Sequence, residues 1–62
     1  IRHTLTSRDG RTLDAFLLSR SSDAVKVRRV SDGHEFVLPF AKISEADESF
    51  IRQSPLTVLP GY

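Results

Sequence analysis

Two Asp-Gly dipeptides, Asp9-Gly10 and Asp32-Gly33, constrain this chain more than any other feature. Each sits between strand-like runs: SRDGRTLDAFLLSR surrounds the first and VKVRRVSDGHEFVLPF the second. Asp-Gly between alternating hydrophobic residues is the strongest short-range hairpin signal, because glycine accepts the positive φ that a tight turn demands. Two such turns in 62 residues predict four consecutive antiparallel strands. The expectation is therefore an all-β module, and modules of this kind bind partners more often than they do chemistry.

At 62 residues the chain holds one domain, near the lower limit for a self-sufficient core. It has no cysteine, so neither disulfides nor thiolate ligands staple it. The core must hold the fold alone, which favours a tightly closed barrel. No run approaches the roughly 18–20 apolar residues that span a bilayer, and no membrane contact is expected. The chain starts at Ile1 and lacks methionine, which suggests a domain of a longer multidomain protein. The net charge of +1 gives no electrostatic bias toward nucleic acid.

The strands are placed at about residues 2–7, 11–20, 24–30 and 34–39. In the first, Ile1, His3 and Leu5 share a face. In the second, Leu13, Ala15 and Leu17 occupy one face while Phe16 and Leu18 occupy the other. A strand apolar on both faces must be covered twice or must bend. The third begins cleanly, with Val25 and Val27 inward and Lys26 and Arg28 outward. Its alternation then slips, since Arg29 falls on an inward position. A bulge at Arg28-Arg29 would return Val30 to the core and turn both arginines outward on one rim. The fourth strand points Phe36 and Leu38 inward, and Pro39 belongs at a strand end or a sheet edge.

A short helical turn follows. Ser44 caps it, with Asp47 three residues on in place of the usual Glu or Gln. Glu45, Asp47 and Glu48 suit the positive end of the helix dipole. Phe50 and Ile51 are expected to face the barrel, with Ala46 one turn before Phe50. Pro55 stops the helix. Residues 1–54 form the domain, and residues 55–62 are a closing strand or a linker tail. Phe16, Phe36, Phe40 and Phe50 are expected in the core of so small a barrel, although one of them could line a groove.

In order and spacing these pieces resemble the Sla-type homology domain 1 family (SHD1), the first homology domain of a yeast endocytic adaptor. The resemblance rests on residues 5–16, Val25-Lys26-Val27-Arg28-Arg29, Asp32-Gly33, Val37-Leu38-Pro39-Phe40, Ile43-Ser44-Glu45-Ala46-Asp47 and Phe50-Ile51. It covers about residues 3–52. Leu5 replaces the tryptophan usual in the first strand, and Phe40 the leucine usual after Val-Pro. The sequence is similar to the bacterial members found in large multidomain proteins. The resemblance implies a small SH3-like antiparallel barrel of four to five strands with one short helical turn near the C-terminus. In the eukaryotic adaptor such a domain recognises an Asn-Pro-Phe-x-Asp peptide. A basic residue late in the third strand matters there, which maps to Arg28 or Arg29.

The residues point the same way on their own account. Two adjacent arginines beside a hairpin would make a compact site for a carboxylate. Lys26 and His34 flank them, so the candidate peptide site is Lys26, Arg28, Arg29 and His34. The alternative is that both arginines lie on a solvated strand or pair with Asp14, Asp32 or Glu35. His3 and His34 have no companions at metal-ligand spacing, and no cofactor is expected. Ser44 reads as a helix cap, and no Ser–His–acid set is suggested by spacing. The function expected is a non-enzymatic interaction module for short peptides. A nucleic-acid-binding barrel is a less favoured alternative, because no basic stripe with interleaved aromatics is visible. A ligand-free structural spacer is the other.

Overall fold

Both Asp-Gly turns form. A computed structural model describes residues 2–60, with Gly10 at φ +93° and Gly33 at φ +73°. Each aspartate holds its own turn by accepting the amide two residues on: Arg11 at 3.2 Å for Asp9, and His34 at 3.0 Å for Asp32. The flanking strands follow. They are β1 (Arg2–Thr6), β2 (Thr12–Arg20), β3 (Ala24–Arg29) and β4 (Glu35–Pro39), antiparallel in the order β1-β2-β3-β4. Each strand is one residue shorter than expected, always at the end that meets an Asp-Gly turn. Pro39 ends β4, the last strand in the order, so its missing N–H disturbs no ladder.

The barrel closes after β4. A 3-10 helix at Phe40–Lys42 carries the chain across to the free edge of β1. There Ser7 bridges Ile43, and the Ser44 amide donates to the Thr6 carbonyl at 2.8 Å. Helix α1 (Glu45–Gln53) follows, and then β5 (Thr57–Val58), which runs parallel to the far half of β2 through Ser19↔Thr57 and Arg20↔Val58. The result is a small all-β SH3-like barrel. Leu5, Ala15, Leu17, Val25, Val27, Phe40, Ile43 and Ile51 fill its core, and Leu13, Phe36, Leu38 and Leu56 pack against them.

The bulge lies in β2, not at Arg28-Arg29. Ala15↔Arg29, Phe16↔Arg28 and Leu17↔Val27 pair regularly; the register then shifts between Leu17 and Ser19, leaving Leu18 extra. The β3–β4 ladder runs unbroken from Ala24↔Pro39 to Arg28↔Glu35. The physical reason is division of labour along β2. Its first half pairs with β1 and its second with β5, so the bend belongs between them. Without a bulge in β3, Arg28 and Arg29 point to opposite faces of the sheet. Val30 is only half-buried, in the turn after β3, with its amide on the Asp14 carbonyl at 3.1 Å.

The helix is longer than a single turn; Ile51 faces inward as expected, and Phe50 does not. Ser44 caps it as expected, its hydroxyl accepting the Asp47 amide at 3.2 Å. The buried residues are Asp47 and Ile51, four apart on one face, whereas Ala46 and Phe50 are exposed. Phe50 lies flat against His3, with ring centroids 4.0 Å apart. Of the four phenylalanines only Phe40 is fully buried. Phe36 is half-buried, and Phe16 and Phe50 are each 40% exposed. Ile1, expected on the Leu5 face, and residues 61–62 lie outside the described residues.

Candidate functional site

The expected arginine site does not assemble as one surface. Arg28 points outward and grips Glu35 through Nε at 3.2 Å and Nη2 at 2.7 Å. Lys26, on the same face, lies 3.8 Å from the other Glu35 oxygen. Arg29 points to the inner face, in register with Ala15. It forks onto Asp32 at 3.0 and 2.7 Å, with its guanidinium 5.7 Å from the centre of the Phe36 ring. His34 packs on the far side of that turn, 5.8 Å from the same ring. The pairings with Glu35 and Asp32 are those of the alternative reading. They hold both carboxyls below their usual range, chiefly through the guanidinium hydrogen bonds.

A different place on the molecule has the shape of a site. Beside the first hairpin a cleft of about 280 Å³ opens between β1, β2, β4 and the segment after the 3-10 helix. Its floor is apolar: Leu5, Leu13, Leu38 and Ile43. Its rim carries Arg11 and Lys42, together with Asp9. Each wall follows from the barrel's construction. Leu5 and Leu13 are cross-strand partners on the inner face. Leu38 is inward on β4, opposite Val25. Ile43 is fixed by its bridge to Ser7. The cleft lies at one mouth of the barrel, beside the turn of the first hairpin.

The rim is held in place. Arg8 donates its Nε to the Ala41 carbonyl at 2.6 Å and its amide to the Lys42 carbonyl at 3.3 Å, which fixes the backbone that carries Lys42. Arg11 lies 3.6 Å from Asp9, a highly exposed pair that adds little attraction. Asp9 stays ionised, since hydrogen bonds from the Ser7 hydroxyl and the Arg11 amide lower its pKa. Lys42 makes no ion pair with any described residue, which leaves it available to an incoming anion.

Sequence reasoning missed Arg11 and Lys42 as a pair. One follows a turn and the other ends a 3-10 helix, and only barrel closure brings them together. The available signal was topological. The free edge of β1 in a closed barrel must pair with whatever follows β4, which places residues 42–44 beside residues 6–8. Among the described residues no group of three or more His, Cys, Asp or Glu side chains is arranged to hold a metal ion. No helix among them is long and apolar enough to cross a membrane. Comparisons of the chain with protein-family models, curated proteins and solved structures gave no significant match.

Proposed function

We propose that this chain is a non-enzymatic interaction module that holds short extended peptides at the mouth of its barrel. The observation that carries this reading is the cleft itself: an apolar floor with two cations and one carboxylate on its rim. Its 280 Å³ falls below the roughly 300–1,000 Å³ of small-molecule pockets, a size suited to one large side chain. An aromatic or aliphatic residue would seat on Leu5, Leu13, Leu38 and Ile43. A neighbouring carboxylate would lie against Lys42 and Arg11. The likeness to the SHD1 family supports the same ligand chemistry, an Asn-Pro-Phe-x-Asp segment, but the acid is assigned to a different partner. Arg28 and Arg29 diverge to opposite faces of the sheet, whereas Arg11 and Lys42 line one cleft.

Binding of this kind is weak. Exposed charge pairs contribute little in water and one buried side chain contributes a few kcal/mol, so the dissociation constant should be on the order of 10–1000 μM. Titration with an Asn-Pro-Phe-x-Asp peptide, followed by backbone amide shifts, tests it. Shifts centred on Leu5, Leu13, Leu38, Lys42 and Ile43 are expected. Silence at millimolar peptide would retire the reading and leave a spacer role as the better account.

A further inference from the structure

The outer face of the sheet carries a row that the sequence hides. Cross-strand register places Arg2, Phe16, Arg28 and Glu35 side by side on β1, β2, β3 and β4. The pleat points all four away from the core, since the alternate row, His3, Ala15, Arg29, lies on the inner face. Phe16 is 40% exposed, flanked on each side by an arginine one strand away. Val37, 41% exposed, and Lys26 extend the same face through the neighbouring pair Lys26↔Val37. This surface is separate from the cleft at the barrel mouth.

We infer that this face binds single-stranded nucleic acid, with a base stacked on Phe16 and phosphates against Arg2, Arg28 and Lys26. The charges favour an anion. Three cations face two carboxylates, Asp14 and Glu35. Asp14 is held chiefly by the Thr4 hydroxyl at 2.6 Å, and Arg2 reaches it only at 3.4 Å, which leaves Arg2 loosely engaged. Neither flanking guanidinium sits over the Phe16 ring. Arg28 is drawn toward Glu35 and Arg2 toward Asp14, and Phe16 remains 40% exposed between them. A base offers a π-face to Phe16 and carries a phosphate on either side, which matches cation–aromatic–cation across three strands. A carboxylate peptide would satisfy the arginines but make poorer use of the ring. The near-neutral net charge argues against a long basic groove, not against a platform for one or two nucleotides.

Glu35 provides the sharpest test. It occupies both Lys26 and Arg28, so it competes with phosphate. In a titration of the chain with a short oligothymidylate at low salt, the amides of Arg2, Phe16, Arg28 and Lys26 should move while those of the cleft stay still. Phe16→Ala should weaken binding about tenfold, and Phe16→Leu nearly as much, because stacking needs the ring. Arg2→Glu should weaken it further and flatten the salt dependence, whose log–log slope should be on the order of −1 to −2 for two or three phosphates. Glu35→Gln should tighten binding severalfold, a gain that a merely structural residue would not give. Thermal unfolding of each variant confirms that it folds. No movement on this face at millimolar oligonucleotide would overturn the inference. So would binding indifferent to Phe16→Leu, or equal displacement by an oligoglutamate, which would mark a surface for acidic protein segments instead.

Discussion

His3 and Asp47 stand 44 positions apart in the chain, and their side chains meet at 2.9 Å, Nε2 to Oδ1. The second Asp47 oxygen accepts the Thr6 amide at 2.5 Å and the Ser44 hydroxyl at 2.9 Å. One buried carboxylate thus fastens β1 to the start of α1, while Phe50 covers the His3 ring. Asp47→Ala strands the half-buried Thr6 amide and frees the histidine. It should cost about 2 kcal/mol, or roughly 10 °C in melting temperature for a domain this small. Calorimetry on the two proteins checks it, and a variant that melts with the parent would show the junction to be incidental.

The same carboxylate predicts an acid dependence. Burial opposes its ionisation, but the hydrogen bonds from Thr6, His3 and Ser44 outweigh burial, so its pKa lies below the ordinary 3.8. A folded pKa below the unfolded one means that the unfolded chain binds more protons between the two values. The associated stability is complete above the unfolded value of 3.8 and is lost as pH falls through the folded one. Melting temperature should fall on acidification below about pH 4, and less steeply in Asp47→Asn. Parallel curves for parent and variant would assign the acid sensitivity to the surface pairs of Asp9, Asp14, Asp32 and Glu35, which are shifted the same way.

Gly33 is predicted to matter for backbone reasons alone. Its φ is +73°, and a Cβ built on it would meet nothing within 4 Å. Gly33→Ala should therefore cost about 1 kcal/mol, and Gly33→Val more, from the left-handed conformation and not from a clash. A D-alanine introduced there by chemical synthesis should cost nothing or stabilise. Equal losses for the L and D residues would show that the turn, not the φ, is being disturbed.

The hairpins were legible because their signal is local: Asp-Gly and period-two alternation act within a few residues of chain. What was not legible is non-local. The slip at Arg29 looks like a bulge when β3 is read alone, yet the ladder stays regular because Arg29 is tolerated inward at a barrel rim, stretched between Asp32 and Phe36. The apolar pair Leu17-Leu18 carried the real bulge, and only the demand of two successive partners on β2 reveals it. The helix was found by its cap. Its buried stripe was misplaced in part, because Asp47, a charged residue, is accepted inside once three donors surround it. The cleft pairs residues 11 and 42, which no spacing rule connects.

Deleting Leu18 tests the bulge directly. The extra residue lets Leu17 face Val27 while Arg20 faces Val25 and receives β5. Without it Leu17↔Val27, Ser19↔Lys26 and Arg20↔Val25 can form one continuous ladder, but β2 loses the bend that passes it from β1 to β5. The deletion should still fold but melt lower, because a straightened β2 meets β5 poorly, whereas Leu18→Ala, which keeps the count, should lose less. A deletion variant with a native-like melt would show that β2 can bend without its extra residue.

The peptide acid has two possible anchors, and charge reversal separates them. At the cleft, Lys42→Glu places a negative charge where the ligand's carboxylate would sit, so an Asn-Pro-Phe-x-Asp peptide should bind on the order of tenfold more weakly. Arg29→Glu leaves the cleft untouched but sets a second carboxylate beside Asp32. It should loosen the second hairpin and leave peptide affinity nearly unchanged. Raising the salt should reduce the difference between the parent and Lys42→Glu, because both charges lie at the surface. Leu38→Ala removes part of the floor without altering charge, and should weaken the peptide while keeping its salt dependence. The opposite pattern, binding lost in Arg29→Glu and retained in Lys42→Glu, would return the site to the second hairpin. It would mean that the guanidinium leaves Asp32 to take the ligand, an exchange visible as a rise in the Asp32 pKa when peptide is added.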